Sequence, residues 1–557
     1  WSVPMGKFLI RSAFVFLAVV TGLSGVASAV DASADAVLRV GLYYDSNALP
    51  GANLENSVGS GYRLGYYEED LSFHELGRTS ETQISMVKTQ NVTLSDGNYV
   101  DGTGSVTVGC YHLQLPETYA SFQEALDTAE TLTDGFPAWI DGSYYVRSGA
   151  YTTKEEAEAG KAALGLNDAE VVGTSGYAVS VVVTKTGEVL FQFDGGSALS
   201  LGVCPGLDDS VKTVTWFKGY RYYGGFQYVR DNGGNIEVIN VVSLDDYVRG
   251  VLPYEMSNDW PLEALKAQAV CARTYAVTNT SGHRDFDVCA STHCQMYQGL
   301  NLSNERTDQA VDETAGEFVR YDGEPAITFY SASDGGATED VRNIWNANAD
   351  LPHLKGVVDP YEADVADDIS QYHWSYTFTS SELTSKMNSS LSGKGYSFTG
   401  ITDVYVSEYS ETGNPASVTF VDRSGKTWSF GPETIRIALG LRSNRFDVTG
   451  GSGGAGYAVN DGSETLSSIN GAYAVNGDGS ITAISGTPYV ITSSGTEQLS
   501  SPTASASSSA GSDSFTFAGS GYGHNVGMSQ QGARAMALRG MDYIDILTFY
   551  FSDVEIW

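Results

Sequence analysis

A strand–helix–strand pattern occurs twice in succession between residues 111 and 183, and it changes the number of domains expected in the chain. In the first copy a strand at Tyr111–Gln114 precedes an acidic helix at Ser121–Leu132 and a strand at Phe136–Ile140. In the second a strand at Tyr144–Tyr151 precedes a helix at Thr152–Leu164, with Thr152 or Thr153 as N-cap, and a strand around Tyr177–Val183. The order predicts a βαββαβ unit of the ferredoxin-like kind, a pattern that serves many functions.

The size and composition of the chain predict several globular domains. A length of 557 residues exceeds one ordinary domain, and 42% hydrophobic with 18% charged residues is typical of a folded chain. The net charge of −36 would repel nucleic acid phosphates and anionic membrane surfaces, so we expect no nucleic-acid partner. We attribute the acidity to the solubility of an exported protein.

The first residues predict export. Lys7 and Arg11 precede an apolar run at Ala13–Val20 and small residues at Ala27–Ala29, so a signal peptide at 1–29, cleaved after Ala29, is expected. The alternative is an uncleaved anchor, because Phe8–Val30 could nearly span a bilayer. No later stretch is long and apolar enough to cross a membrane, so we expect a secreted protein without a stable membrane span after cleavage.

The rest of the chain predicts a multidomain α+β protein. We divide it into a β portion at 37–104, the βαββαβ unit at 105–183, a β-rich connection at 184–234, a core of mixed strands and helices at 235–449, a Gly/Ser/Thr-rich insertion at 450–513 and a return to the core at 514–557. The insertion carries a small β repeat, since the pattern at Gly456–Asn460 recurs at Ala472–Asn476. Five cysteines are an odd and sparse set that predicts no disulfide framework.

The stretch from Leu244 to Ala276 carries the most informative pattern. Pro261 lies in the first turn of a predicted core helix, whose apolar stripe consists of Leu262, Leu265, Ala269, Ala272 and Ala276. Glu255 precedes this helix between Tyr254 and Met256. Apolar surroundings disfavour an ionised carboxylate and favour the protonated form that a general acid needs. From the local sequence alone, a solvated or Arg-paired Glu255 is the commoner outcome.

The same stretch closely resembles the stage II sporulation protein D (SpoIID) family, in which a Glu–Met pair before this helix supplies the catalytic carboxylate of a lytic transglycosylase. The similarity continues at Gln295–Gly299, Tyr330–Thr338 and Gly521–Ala533, and covers most of 235–449 and 515–557. Asp334 stands where the family often has a Cys or a small polar residue, and Tyr522 and Asn525 replace a Trp and a Gly. The resemblance implies a SpoIID-like core with Glu255 as its catalytic residue.

The implied reaction needs one carboxylate, whereas ordinary glycosidases use two. Glu255 would protonate the leaving glycosidic oxygen and then accept the proton of the muramic 6-hydroxyl as that hydroxyl attacks. The products would carry 1,6-anhydro-MurNAc ends, and the partner would be a peptidoglycan glycan strand cut between MurNAc and GlcNAc.

Residues 105–183 also resemble the SPOR (sporulation-related repeat) domain, whose duplicated units carry a strand like Tyr144–Tyr151 before a helix rich in Glu and Ala. This resemblance implies a domain that binds glycan strands stripped of their stem peptides.

A second constellation consists of His283, Cys289, His293 and Cys294, all within one loop. Two thiolates and two imidazoles suit tetrahedral Zn²⁺, and the SpoIID resemblance implies a zinc in the corresponding loop. With all four positions filled by protein the metal would be structural. The alternative is a Cys289–Cys294 disulfide with two incidental histidines.

The SpoIID motifs also offer polar residues as candidate substrate contacts. These are Lys266, Gln268, Arg273, Gln295, Tyr330, Ser331, His524 and Gln530. His524 lies in a Gly-rich loop before a helix starting near Ser529, whose first N–H groups could face a polar sugar group. A structural His524, hydrogen-bonded to backbone, is an equal alternative.

Two other functions remain open from the sequence. Some relatives of this family resemble amidase enhancers, which stimulate another hydrolase. By that resemblance the chain would be a non-catalytic cell-wall binding protein with an amidase as partner. A structural cell-wall or spore-coat protein would explain the Ser/Gly tract and the acidity, but it leaves the Glu255 motif unexplained.

Overall fold

The structure is a computed structural model that describes residues 32–33, 35–208, 210–278, 282–345, 351–450 and 514–557, with six short strands between 457 and 498. It consists of two compact units. The first comprises Trp1–Ser257 and Ala276–Gly316, and the second comprises Asn258–Tyr275 and Glu317–Trp557. The predicted signal peptide at 1–29 and most of the 450–513 insertion lie outside the described residues, and so do the residues between the six strands.

The described helices are distributed over both units. They are α1 Phe122–Ala129, α2 Lys154–Leu164, α3 Leu244–Glu255, α4 Leu262–Thr278, α5 Glu305–Asp312, α6 Val341–Trp345, α7 Ser380–Leu391, α8 Pro432–Leu439, α9 Gln530–Leu538 and α10 Tyr543–Tyr550. Short 3₁₀ helices occur at Asp45–Asn47, Pro352–Leu354, Glu362–Asp368 and Ser392–Lys394. Among the described residues, no helix has the length and apolarity that a membrane crossing requires.

The first unit is rich in strands. They are β1 Val37–Tyr43, β2 Gly51–Val58, β3 Tyr62–Tyr67, β4 Phe73–Thr79, β5 Gln83–Lys88, β6 Val92–Ser95, β7 Asn98–Asp101, β8 Thr107–Val108, β9 Tyr111–Gln114, β10 Gly135–Ile140, β11 Ser143–Tyr151, β12 Glu170–Val172, β13 Val179–Val183, β14 Val189–Asp194, β15 Leu201–Pro205, β16 Val214–Phe217, β17 Tyr220–Tyr222, β18 Gly225–Arg230, β19 Ile236–Ser243 and β20 Val288–Cys289. They form a seven-stranded sheet ordered β20-β1-β19-β18-β15-β3-β4, a ten-stranded sheet ordered β12-β9-β11-β10-β14-β13-β5-β2-β16-β17 and a small sheet ordered β7-β6-β8.

The first four strands of the ten-stranded sheet form the βαββαβ unit. The order β12-β9-β11-β10, with every neighbouring pair antiparallel, is the ferredoxin-like arrangement. Its helices begin where the sequence indicates, because Ser121 caps α1 and Thr153 caps α2, each through its side-chain oxygen. The mixed α+β class predicted from the sequence is confirmed.

The closing strand of this unit differs from the prediction. Glu170–Val172 pairs with β9, whereas the predicted strand around Tyr177–Val183 forms β13 and pairs with β14 and β5. The Val-rich β13 is buried through Val182 because it has a neighbouring strand on each side. Its apolar run is typical of a central strand, while the unit itself ends in a short, partly exposed edge strand.

The second unit combines small sheets with most of α4. Its strands are β21 Val319–Tyr321, β22 Glu324–Pro325, β23 Tyr330–Ser331, β24 His373–Thr379, β25 Ile401–Tyr409, β26 Pro415–Asp422, β27 Thr427–Phe430, β28 Phe446–Gly450, β29 Tyr457–Val459, β30 Glu464–Leu466, β31 Tyr473–Val475, β32 Ile481–Ala483, β33 Tyr489–Thr492, β34 Gly495–Gln498, β35 Ser514–Ser520, β36 Met528–Ser529 and β37 Glu555–Ile556. The sheets are β24-β35-β28, β25-β26-β27, β22-β21-β37 and β23-β36, and the strands of the insertion pair as β29-β30, β31-β32 and β33-β34.

The interior of the second unit contains an apolar core and most of the buried helix α4. A cluster of buried side chains, including Leu383, Phe420 and Phe517, forms an apolar core around its sheets. Helix α4 is buried more completely than a single stripe predicts, because Gln268 and Arg273 lie inside as fully as Ala269 does.

A buried histidine makes the βαββαβ unit sensitive to acid. His112 in β9 is 1% exposed. Its Nδ1 lies 2.7 Å from the Gly149 carbonyl oxygen and its Nε2 lies 3.2 Å from Nε2 of Gln192, so the neutral ring donates through Nδ1 and accepts through Nε2. Burial, with a smaller contribution from Arg147, lowers the pKa of His112 to about 4. The folded state therefore disfavours protonation of this ring.

We expect the unfolding free energy to decrease between pH 6.5 and pH 4, because the unfolded state takes up the proton first. The stability that the neutral His112 ring contributes is fully present above pH 6.5. For a pKa lowered to about 4, its loss on acidification decreases the unfolding free energy by about 3 kcal/mol. Urea unfolding at both pH values should show a smaller decrease in His112→Asn than in the wild type. His74→Asn, which changes an exposed imidazole, should keep the wild-type decrease. Equal decreases in all three proteins would contradict the assignment.

Candidate functional site

Glu255 is the last residue of α3. The helix begins directly after β19, where the Ser243 side chain accepts a hydrogen bond from the Asp246 N–H, and it ends where Met256 adopts an extended backbone. Glu255 is partly buried, and its Oε1 accepts a hydrogen bond from the Met296 N–H at 3.3 Å. The helix thus presents the carboxylate to the segment that follows the loop containing His283, Cys289, His293 and Cys294, here called the Cys/His cluster.

That segment, residues 295–298, is fastened to α3 and β19 by side-chain hydrogen bonds. The Tyr254 hydroxyl donates to the Gln298 carbonyl at 3.2 Å, and the Tyr297 hydroxyl donates to Asn240 Oδ1 at 2.6 Å. Gly250 permits this approach, since a Cβ there would lie 2.3 Å from the Tyr297 ring. The position of the Met296 N–H is therefore determined by contacts on both sides of it.

Gln295 is the one candidate substrate contact in this segment. Its side chain is 2% exposed, and its Nε2 donates to the Tyr247 hydroxyl at 3.4 Å. The structure therefore places this amide in the interior of the unit, beside α3.

His283, Cys289, His293 and Cys294 come together as the sequence predicts. Their ligand atoms lie within 4.8 Å of one another. The two sulfurs are 3.5 Å apart, and Cys294 Sγ lies 3.5 Å from His293 Nδ1 and 3.6 Å from His283 Nε2. Cys289 Sγ lies 3.7 Å from His293 Nδ1.

These separations fit a tetrahedral zinc site. Zinc with about 2.3 Å to sulfur and about 2.0–2.1 Å to nitrogen separates its ligands by roughly 3.3–3.8 Å. The sulfurs are too far apart for a disulfide, whose S–S length is about 2.05 Å, and both cysteines are free thiols in the structure. The arrangement offers four soft or borderline donors to one metal ion and leaves no position for a catalytic water.

Neighbouring elements hold this cluster in place. Strand β20 pairs in parallel with β1, placing Cys289 opposite Gly41. A Cβ on Gly41 would lie 2.6 Å from the Phe286 ring, which stacks on His283 with centroids 4.4 Å apart. Hydrogen bonding from Cys294 lowers the pKa of the Cys289 thiol well below its usual range, as expected for a thiolate ligand.

In the second unit, the candidate residues of α4 and α9 make internal contacts. Gln530 Nε2 donates to Gln268 Oε1 at 3.2 Å, and the Arg273 guanidinium donates to the Glu317 carbonyl at 3.3 Å. The Lys266 ammonium lies 2.9 Å from Glu263 Oε1. Of these residues, Gln268 and Arg273 are almost completely buried.

The last loop and β23 lie side by side. Tyr330 and Ser331 form β23, which pairs in parallel with Met528 and Ser529 of β36. His524 Nδ1 accepts from the Val526 N–H at 3.1 Å, and burial lowers the pKa of His524 to about 4. These contacts match the structural alternative for His524.

The start of α9 differs from the sequence expectation of free N–H groups. The Gly532 N–H donates to the Ser529 hydroxyl, and the Gln531 N–H donates to the Ala332 carbonyl. Asn525 has φ 64° and donates through Nδ2 to the Asp334 carbonyl. Asn adopts this left-handed conformation more readily than most residues, so Asn525 suits the turn.

One cluster was missed by the sequence analysis. Asp334, Asp359 and Glu362 place three carboxylates together in the interior of the second unit. Asp359 and Glu362 are three residues apart, but Asp334 lies 25 residues before Asp359, and the three together follow no standard metal-binding spacing. The only sequence signal is that Asp334 departs from the SpoIID pattern.

Comparison with known proteins agrees with this geometry. The family model for stage II sporulation protein, SpoIID, matches residues 232–321, which include α3, Glu255 and the Cys/His cluster. An uncharacterized protein of Brachyspira hyodysenteriae is 31% identical over 61% of this chain and 73% of its own length. The amidase enhancer of Bacillus subtilis is 30% identical over 55% of this chain but only 39% of its own length.

Stage II sporulation protein D of Bacillus subtilis is 24% identical over 57% of this chain and 74% of its own length. The matched motif, the relatives and the location of Glu255 lead to the same conclusion. This chain belongs to the stage II sporulation protein D family.

Proposed function

We propose that the protein is an exported lytic transglycosylase that cuts peptidoglycan glycan strands between MurNAc and GlcNAc, with Glu255 as its catalytic residue. The observation that carries this proposal is the placement of Glu255 at the end of α3, inside the region matched by the family model and held by the Met296 N–H. The family membership supports work outside the cytoplasm.

The placement of Glu255 suits an acid that later becomes a base. The C-terminal end of a helix is the negative end of the helix dipole, which favours the protonated carboxyl, whereas the hydrogen bond from the Met296 N–H favours the carboxylate that acts as base. Glu255 donates its proton to the glycosidic oxygen as the bond from that oxygen to muramic C1 breaks. The muramic 6-hydroxyl forms the new bond to C1 and gives its proton to the Glu255 carboxylate, closing the 1,6-anhydro ring.

The Cys/His cluster contributes to the same site through the backbone. His283, Cys289, His293 and Cys294 would hold one Zn²⁺, which supplies structural cross-linking of the loop rather than a reactive water. Cys294 is followed closely by Met296, whose N–H contacts Glu255. A closed metal site would thereby limit the movement of the hydrogen-bond donor that orients the carboxylate.

The βαββαβ unit is proposed as a SPOR-like module that binds denuded glycan. The support is its ferredoxin-like strand order together with the SPOR-like sequence of β11 and α2. Binding there would keep the chain on strands from which an amidase has removed the stem peptides.

A second candidate function is stimulation of a cell-wall amidase without catalysis. The resemblance to a protein named amidase enhancer favours it, although this chain spans 39% of that protein's length. The two functions differ in one respect, because only the enzyme requires the Glu255 carboxyl.

Glu255→Gln should decrease the release of anhydro-muramic products from purified peptidoglycan by at least about 100-fold, because an amide cannot carry the proton. Muropeptide analysis after digestion measures these products. Glu305→Gln, which changes an acidic residue in the first turn of α5 in the same unit, should retain wild-type activity. Undiminished anhydro products from Glu255→Gln would refute the catalytic assignment, and amidase stimulation that survives the substitution would favour the enhancer function.

The Glu255→Gln chain should also bind amidase-treated sacculi better than untreated sacculi, since stem peptides would hinder access of the βαββαβ unit to glycan. Co-sedimentation of the inactive chain with each preparation measures this preference. Equal sedimentation with both preparations would reduce the unit to a spacer.

The purified protein should carry about one Zn²⁺ per chain, with cysteine thiolates that resist alkylation until a chelator is added. Cys289→Ser should decrease the zinc content and the melting temperature together. Cys204→Ser removes a thiol outside the cluster and should change the zinc content little. Absence of zinc together with a Cys289–Cys294 disulfide in native mass spectrometry would disprove the metal site.

A further inference from the structure

Three carboxylates of the second unit converge at a place separate from Glu255 and from the Cys/His cluster. Asp334 and Glu362 are 0% exposed and Asp359 is 2% exposed. Their ligand oxygens lie within 4.8 Å of one another. Buried carboxylates normally have a positive partner, because removing a charge from water is costly.

Two of the three carboxylates are held rigidly by donors. Glu362 accepts hydrogen bonds from the Ser333 and Ser529 hydroxyls and from the N–H groups of Asp334 and Gly335, both at 2.9 Å. Asp359 Oδ1 accepts from the N–H groups of Tyr361 and Glu362. Asp359 Oδ2 accepts from the Tyr550 hydroxyl at 2.6 Å. These contacts orient the carboxylates but supply no positive charge.

Asp334 differs from the other two. Its Oδ1 accepts from the Gly336 N–H at 2.7 Å, whereas its Oδ2 is buried and has no hydrogen-bond partner among the residues that the structure describes. The Gly335–Gly336 turn that positions it has left-handed φ values of 71° and 111°. A carboxylate oxygen that is both buried and unpartnered points to a ligand that the protein itself does not provide.

Among the residues that the structure describes, no lysine or arginine forms an ion pair with Asp334, Asp359 or Glu362. Arg445 acts electrostatically on Asp334, but its guanidinium donates hydrogen bonds to the Thr412 carbonyl and to Asn414 Oδ1. Arg539 also acts electrostatically with Asp359, but its guanidinium is paired with Asp364 on the surface. No described cation therefore contacts the three carboxylates directly, and a bound divalent cation would supply the missing positive charge.

We propose that Asp334, Asp359 and Glu362 form a Ca²⁺ site within the second unit. All three proposed ligands are carboxylates, whose oxygens hard cations prefer. Because the ligand oxygens lie within 4.8 Å of one another, all three carboxylates can contact one ion at a Ca–O distance of about 2.3–2.6 Å. Mg²⁺ fits less well, because it keeps several waters and this site is closed to solvent.

The site ties together segments that are distant in sequence. It joins the turn after β23, the start of the 3₁₀ helix Glu362–Asp368, and the Ser529 and Tyr550 hydroxyls that orient the ligands. Ca²⁺ binding should therefore stabilise the fold and leave the products of glycan cleavage unchanged.

The test uses the full chain, saturated with Zn²⁺ and freed of Ca²⁺. Titration with CaCl₂ in a calorimeter should show about one bound Ca²⁺ per chain, and millimolar CaCl₂ should raise the melting temperature. Asp334→Asn keeps the shape of the side chain but removes its charge, so it should weaken Ca²⁺ binding at least tenfold and remove the thermal shift. Asp368→Asn removes an exposed carboxylate from the same 3₁₀ helix and should bind like the wild type.

The wild-type measurements keep the proposal falsifiable even if Asp334→Asn fails to fold. A wild-type chain that shows neither binding heat nor a thermal shift with CaCl₂ would overturn the proposal, leaving Asp334 as a buried protonated acid. Equal binding by Asp334→Asn and the wild type would overturn it as well. Neither result depends on transglycosylase activity, so failure here would leave the proposed function intact.

Discussion

The hydrogen bond from the Met296 N–H to Glu255 is the contact on which the candidate site depends. Different elements of the fold position the acceptor, Glu255, and the donor, the Met296 N–H. On one side, α3 begins immediately after a buried strand and ends at the carboxylate, so its length and its Ser243 cap determine where Glu255 lies. On the other side, the β20–β1 pairing and the Cys/His cluster determine where the donating segment begins.

Small residues make these approaches sterically feasible. Gly250 allows the Tyr297 ring to lie directly on α3, and Gly41 allows Phe286 to pack beneath His283. A Cβ at either position would collide with an aromatic ring rather than with a flexible chain end. The candidate catalytic carboxylate and the candidate metal site thus belong to one packed arrangement within the first unit.

Buried polar groups in the two units illustrate opposite solutions to the same energetic problem. His112 is neutral, and both ring nitrogens have partners, so its burial is compatible with a stable sheet at neutral pH. Asp334 has one satisfied oxygen and one orphaned oxygen, and two further carboxylates lie beside it. Complete hydrogen bonding explains the first group without a ligand, whereas the second requires either a proton or a cation.

Much of this protein was determined locally, and the sequence by itself was therefore sufficient for it. Ser121 and Thr153 mark helix starts, the Leu244–Ala276 stretch indicates the family, and the four zinc-ligand candidates lie within one short loop. Only the tertiary structure decided that β12 rather than β13 closes the βαββαβ unit, and that Gln268, Arg273 and Gln295 are buried. Only the tertiary structure also showed that Asp334 lies beside Asp359 and Glu362. Strand pairing and burial depend on partners distant along the chain, and no local spacing or periodicity encodes those partners.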